Sequence, residues 1–418
     1  MPAKLVSDLA EACSRAQHAW KSARADSDFA AFRPWLDRVL DLSREKARCL
    51  ADGKGELYDA LIDQYEPGVK ASQIEAVFTP LRKQISDLVR TIAENGTPPS
   101  TEVLGRPVSP AKQESFGKFV AGACGFDFTR GRLDVTTHPF CEGIGPGDTR
   151  LTTRYREASW MDSFYGILHE MGHGLYEQGL PLGGSHGMGH APNQFGLPCG
   201  EAVSLGIHES QSRLWENAVG RSKAFWTWAL PHAKEHFGSV MGDQTPETMA
   251  RAVNTAEPSL IRVEADEGTY NLHIMIRFGL ERALISGDLS TGDLPGAWNE
   301  AYKEALGLDV PSDREGCLQD VHWSFGLIGY FPTYTLGNLY AAQFREKARE
   351  DNPDLEDQIA AGHFAPLLSW FRSRIHIHGR RYTPAQLCER ATGRPLSAEP
   401  LVNQLKAKLY PVYGIRTV

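Results

Sequence analysis

The sequence predicts a mainly α-helical protein with one small β-sheet, and three observations carry that expectation. Apolar residues recur at helical spacing through most of the 418 residues. Residues 126–160 break this pattern with threonines, glycines and alternating apolar positions, the texture of short strands joined by turns. The composition, 41% hydrophobic and 23% charged, leaves enough apolar surface to bury a core and excludes disorder and fibrous repeats. The 44 basic and 52 acidic side chains give a net charge of −8, so nucleic acid is not an expected partner.

Taken in order, Leu36, Val39, Leu40 and Leu50 mark a helical face near the start. Residues 53–68 read as a loop, a short helix and a Pro-Gly stop, and 69–95 as an amphipathic helix ending at Asn95-Gly96. A turn-rich linker follows, then a helix at 110–123. Beyond the sheet, periodicity predicts helices at 162–178, 199–219, 221–237, 245–255, 269–286, 293–305, 314–326, 335–349 and 354–374. The change of texture divides the chain into an N-terminal helical region, 1–125, and a catalytic region, 126–418. No apolar run reaches the length of a membrane span or a signal-peptide core. The seven cysteines are scattered and form no CxxC pair. A cytoplasmic chain with reduced thiols and no membrane partner is therefore expected.

The strongest chemical signal is His169-Glu170-Met171-Gly172-His173, an H-E-x-x-H. On a helix, positions i and i+4 lie one turn apart on one face, so both imidazoles can reach one tetrahedral Zn2+. The glutamate sits beside the position where water binds. A solvated helix face would have polar flanks, whereas here SFYGIL precedes the motif and GLY follows it. Buried imidazoles and a buried carboxylate need a partner, and a metal supplies one. The third ligand of such a site is expected to be a carboxylate on another helix. The segment GEAVSLGIHESQSRLWEN offers Glu201, His208 and Glu209, and spacing alone does not choose among them.

The chain resembles the thermostable carboxypeptidases of the Taq type, the M32 metallopeptidases. The resemblance rests on motifs in order: His138-Pro139-Phe140, Asp148-Thr149-Arg150-Leu151-Thr152, HEMGH at 169–173, His208-Glu209-Ser210-Gln211, IRVEAD at 261–266 and GCLQDVHW at 316–323. Two departures stand out. The chain is shorter than typical members in the N-terminal helical region that covers the substrate groove. A Gly-rich loop, 179–198, also lengthens the interval between His173 and Glu209. The resemblance implies a deep central groove between two helical halves, a homodimer, and Glu209 as the third ligand of a zinc site, with Co2+ or Mn2+ as substitutes. Glu170 is then the general base. His322 and Tyr334 are the oxyanion donors, by analogy with related His/Tyr zinc peptidases, and Tyr330 is the competing tyrosine. Recognition of a peptide's free C-terminal carboxylate suits a guanidinium fork, and the resemblance points to Arg150 and Arg262. His138 and Phe140 would close the far end of the groove.

The implied activity is release of C-terminal residues from peptides, with broad side-chain preference. The alternatives are a zinc oligopeptidase of related fold that cuts internally and an idle helical binding protein that keeps the site for structure. Asp148, Asp266 and Asp320 read as orienting groups. His186 and His190 lie in the Gly-rich loop, read as a mobile element or a lid without its own metal, and the His-rich 374–380 reads as a surface stretch.

Overall fold

The computed structural model describes residues 1–145, 148–181 and 194–416. The chain forms two compact units, each assembled from separated stretches: Met1–Glu94 with Ala256–Thr335, and Asn95–Thr255 with Leu336–Val418. Both are mainly helical. Among the described residues, no helix is long and apolar enough to cross a membrane.

In the first unit, helices Ala3–Asp26 and Phe29–Leu50 are joined by a tight turn. Ser27 takes a left-handed conformation there (φ 56°), and Asp28 caps the second helix by accepting from the Ala31 amide. Helix Ala71–Asn95 buries Ile74, Phe78, Leu81, Ile85, Leu88 and Ile92, one stripe at a spacing of three or four. Helix Tyr270–Ser286 is buried on nearly every side and carries His273, Arg277 and Glu281 inward. The predicted helix at 314–326 does not form. Turns occupy that segment, with one short 3-10 turn at His322–Phe325. The reason is polar. Gln319 donates to the Leu260 carbonyl and accepts from the Arg262 amide and the Arg277 guanidinium, and Asp320 pairs with two arginines. A single helix face could not aim these side chains in so many directions.

The second unit contains the expected sheet. Strands β1 (Gly131–Val135), β2 (Cys141–Gly145) and β3 (Asp148–Thr153) lie in the order β1-β3-β2. Strand β3 pairs parallel with β1, Leu133 opposite Leu151, and antiparallel with β2, Cys141 opposite Leu151. Helix Trp160–Glu177 packs on this sheet. The predicted 199–219 helix begins later, at Leu205, where Ser204 caps it, and runs from Arg213 into a π-helical turn at Leu214–Val219. The predicted 354–374 helix is split into Leu355–Ala360 and Ala365–Arg374 by Gly362 (φ 78°). Helices Pro384–Thr392 and Glu399–Val412 were not anticipated, although the Thr383/Gln386 capping box and the left-handed Gly393 stop are readable start and stop signals.

Candidate active site

Helix Trp160–Glu177 buries Phe164, Tyr165, Ile167, Leu168, Met171, Leu175 and Tyr176, which fixes its rotation and turns His169, Glu170 and His173 toward helix Leu205–Arg213. The approach of the two helices depends on Gly172. A Cβ there would stand 2.5 Å from the Gln211 carbonyl oxygen and 2.6 Å from Ser212 Cα, both backbone atoms. The glycine inside the H-E-x-x-H pattern thus lets the second helix bring Glu209 to the histidines.

Ligand atoms of His169, His173 and Glu209 all lie within 4.8 Å of one another, a spacing that a single metal ion can bridge. His169 Nε2 is 3.7 Å and His173 Nε2 3.4 Å from the same oxygen, Glu209 Oε2. Both Nδ1 atoms face away and are held from behind. His169 Nδ1 meets Glu216 Oε2 at 2.9 Å, and His173 Nδ1 meets the His208 carbonyl oxygen at 3.0 Å. Such support fixes the tautomer and aims Nε2 at a metal. Glu209 Oε1 accepts from Arg213 Nε at 2.7 Å, and Oε2 accepts from Ser212 Oγ at 3.0 Å. The two imidazoles and one carboxylate suit a catalytic zinc site that keeps one position open.

Electrostatics divide the roles. Glu209 is buried, which raises its pKa, yet Arg213 and the two histidines hold it well below the usual carboxylate range. Burial lowers His169, but Glu209 and Glu216 outweigh it and raise the imidazole to about 9, whereas burial and the neighbouring His208 lower His173 to about 3. Burial, helped by the negative charges of Glu209 and Glu216, raises Glu170 to about 7. A carboxylate with that pKa can both accept and return a proton near neutral pH.

Of the three acids and imidazoles that spacing left open, Glu201 lies outside the helix, exposed and paired with Arg380 at 3.2 Å. His208 is at the site but behind it, with Nδ1 2.6 Å from His173 Nδ1 and Nε2 2.8 Å from Glu177 Oε1. Sequence reasoning missed Arg213 and Glu216. Their positions, four and seven residues after Glu209, place all three on one helical face and are the signal that could have found them. Arg150, on β3, is clasped by Asp148 of the same strand through Nε (3.0 Å) and Nη2 (2.9 Å). His138 is exposed in the connection between β1 and β2. The stretch 374–380 departs from expectation: His376 is 1% exposed, and its Nε2 lies 2.9 Å from Gln211 Oε1. His186 and His190 lie outside the described residues.

In the first unit, Arg262 is buried and donates to Asp320 Oδ1 through Nε (2.9 Å) and Nη2 (2.8 Å), and to the Tyr270 hydroxyl. Arg277, fully buried and missed from sequence, takes the other oxygen of Asp320 at 2.6 Å. Two guanidiniums thus share one carboxylate, and Asp320 is held far below its ordinary pKa against the burial that would raise it. His322 Nε2 meets the Tyr334 hydroxyl at 3.2 Å. Burial lowers its pKa to about 4, so the ring is neutral at pH 7. Tyr330 packs beside them, its ring centroid 5.3 Å from that of Tyr334. Asp266 accepts from the Thr269 and Glu257 amides just before helix Tyr270–Ser286.

Comparison with known proteins points to one family. The family model described as carboxypeptidase Taq (M32) metallopeptidase matches residues 1–409. Thermostable carboxypeptidase 1 of Thermus thermophilus is 49% identical, over 99% of this chain and 81% of its own length. Carboxypeptidase 1 of Bacillus subtilis is 38% identical, over 96% of this chain and 78% of its own. The crystal structure of an M32 carboxypeptidase from Deinococcus radiodurans superposes with a TM-score of 0.94 at 42% identity, covering 99% of this chain and 81% of the other. A Pyrococcus furiosus carboxypeptidase structure gives 0.91 at 37% identity, covering 98% and 80%.

Proposed function

This chain belongs to the carboxypeptidase Taq (M32) metallopeptidase family and is a metallocarboxypeptidase; on that footing we propose that it releases C-terminal amino acids, with broad side-chain preference, by a zinc-activated water. The observation that carries the reading is the pair of Nε2 atoms converging on Glu209 Oε2 while each Nδ1 is tied down behind.

His169, His173 and Glu209 would hold the ion. Bound zinc would supply a Lewis acid that lowers the pKa of a water to about 7. Glu170, poised near neutrality, would accept a proton from the attacking water and return it to the departing amine. His322 and Tyr334 are the proposed donors to the oxyanion, and each donor aimed at developing charge contributes about 3–4 kcal/mol. Their mutual hydrogen bond supports a joint role.

Carboxylate recognition is assigned to Arg262, with Arg150 contributing and His138 lining the groove's closed end. The support for Arg262 is a charge imbalance: Arg262 and Arg277 are buried against one carboxylate, so a second carboxylate from the substrate would neutralise the excess cation. The reading includes a substrate groove between helical halves, a homodimer and a cytoplasmic location; seven free thiols favour a reducing compartment.

The test is a ladder of short peptides, each with a free or an amidated C-terminus, assayed with zinc and with a chelator. Stepwise loss of terminal residues from free peptides only, abolished by the chelator, is expected. Equal cleavage of amidated peptides would refute carboxylate recognition.

A further inference from the structure

Within the second unit lies a cavity of about 920 Å3, and none of His169, His173 and Glu209 lines it. Its wall draws on the π-helical turn Leu214–Val219 and on helices Pro246–Ala252, Pro332–Asp351 and Glu399–Val412. The volume falls in the range of small-molecule sites.

Six cationic and four anionic side chains line the cavity. The carboxylates are already satisfied: Glu247 pairs with Lys223 at 2.6 Å, and Glu356 with Arg345 at 2.8 Å and Arg349 at 3.5 Å. The other two acids are paired to cations from outside the wall. Among the cations Arg251 stands apart, while Lys223, Arg345 and Arg349 share those pairs and Lys408 donates to the Asn217 carbonyl. Arg251 has no ion pair or side-chain hydrogen bond among the described residues, and its Nε is buried without an acceptor. In a chain whose net charge is −8, this wall carries an excess of positive charge, much of it on guanidinium forks that match carboxylate and phosphate oxygens.

We propose that this cavity binds a compact small-molecule anion, a dicarboxylate or a phosphate, through Arg251, Arg345 and Arg349. The site is tied to the metal ligands through the wall residue Arg221. Its Nη2 lies 3.6 Å from Glu216 Oε1, and the other oxygen of Glu216 holds His169 Nδ1 at 2.9 Å. An anion that draws Arg221 toward the cavity loosens the clamp on His169 and alters turnover.

The experiment is calorimetric titration of the zinc-loaded protein with succinate and, separately, with inorganic phosphate. It is repeated on Arg251→Glu and Arg349→Glu, with circular dichroism confirming that both variants fold. Saturable one-to-one binding of one or both anions, weakened at least about tenfold in each variant, is expected. Preference between the two probes identifies the ligand as carboxylate or phosphate. In the wild type the saturating anion should also shift kcat/KM on a short peptide, and Arg251→Glu should remove that shift. No saturable binding, or binding that both variants retain and a peptide substrate displaces, overturns the site. Binding with unchanged kcat/KM overturns the tie to His169.

Discussion

Replacing Gly337 with alanine should unseat the carboxylate of the proposed metal centre. Gly337 lies in helix Pro332–Asp351, and a Cβ built on it would stand 2.6 Å from Glu209 Cγ and 2.7 Å from Glu209 Cβ. Unstrained carbon contacts begin near 3.5 Å, so Glu209 or the helix must move by close to 1 Å. Overpacking of this kind costs about 1–3 kcal/mol. Helix propensity pulls the other way, since alanine is favoured over glycine by about 1 kcal/mol. The helix should therefore form at least as well, and the damage should fall on the ligand. Loosening one of three ligands by about 1–3 kcal/mol corresponds to a loss of zinc affinity of about 5- to 150-fold. A zinc titration against a competing chelator measures it, with circular dichroism reporting the helix content. Unchanged zinc affinity in a folded Gly337→Ala protein would refute the argument that an empty Cβ position holds Glu209 in place.

Glu170→Gln keeps the shape of the proton acceptor and removes its basicity, so zinc binding should persist while kcat falls about 10²- to 10⁴-fold; a variant with wild-type kcat would remove Glu170 from the mechanism. Glu216→Gln weakens the grip on His169 Nδ1, and zinc affinity should drop about 10- to 100-fold with the fold intact. Glu281, fully buried, has its pKa raised to about 7 chiefly by burial, even though Tyr58, Trp323 and the Gly329 amide donate to it. The folded state therefore binds a proton that the unfolded chain, titrating near 4.5, has lost. This group's stabilising contribution is complete below about pH 4.5 and disappears as the pH rises through about 7, a change of about 3 kcal/mol. Urea unfolding of wild type and Glu281→Gln at several pH values should show the difference between them shifting over that window, and a difference flat with pH would contradict it.

Much of the site was legible before any fold was known. The i, i+4 spacing of His169 and His173 is a local property of a helix, and the apolar flanks of the motif already required that helix to be buried. The small sheet was visible at 126–160 because its texture depends on neighbouring residues. The choice of Glu209 over Glu201 and His208 was not legible from spacing, because it turns on where a helix begins. Ser204 starts that helix after Glu201, and Gly172 sets how near the two helices come. Nor could periodicity warn that 314–326 would form turns, since side chains scattered over 60 residues draw that segment into a polar network. His376 was misjudged for the same reason: its burial is decided by Gln211, 165 residues away.

The sequence by itself determined the helical class and the turn that sets His169 and His173 on one face with Glu170 beside them, because those follow from repeats and spacings within a few turns of chain. The tertiary structure alone decided how closely Glu209 approaches the two histidines, the groups that clamp each imidazole, and the pairing of Arg262 and Arg277 on Asp320. Those depend on packing between distant segments, where one missing Cβ or one shared carboxylate settles which polar atoms meet.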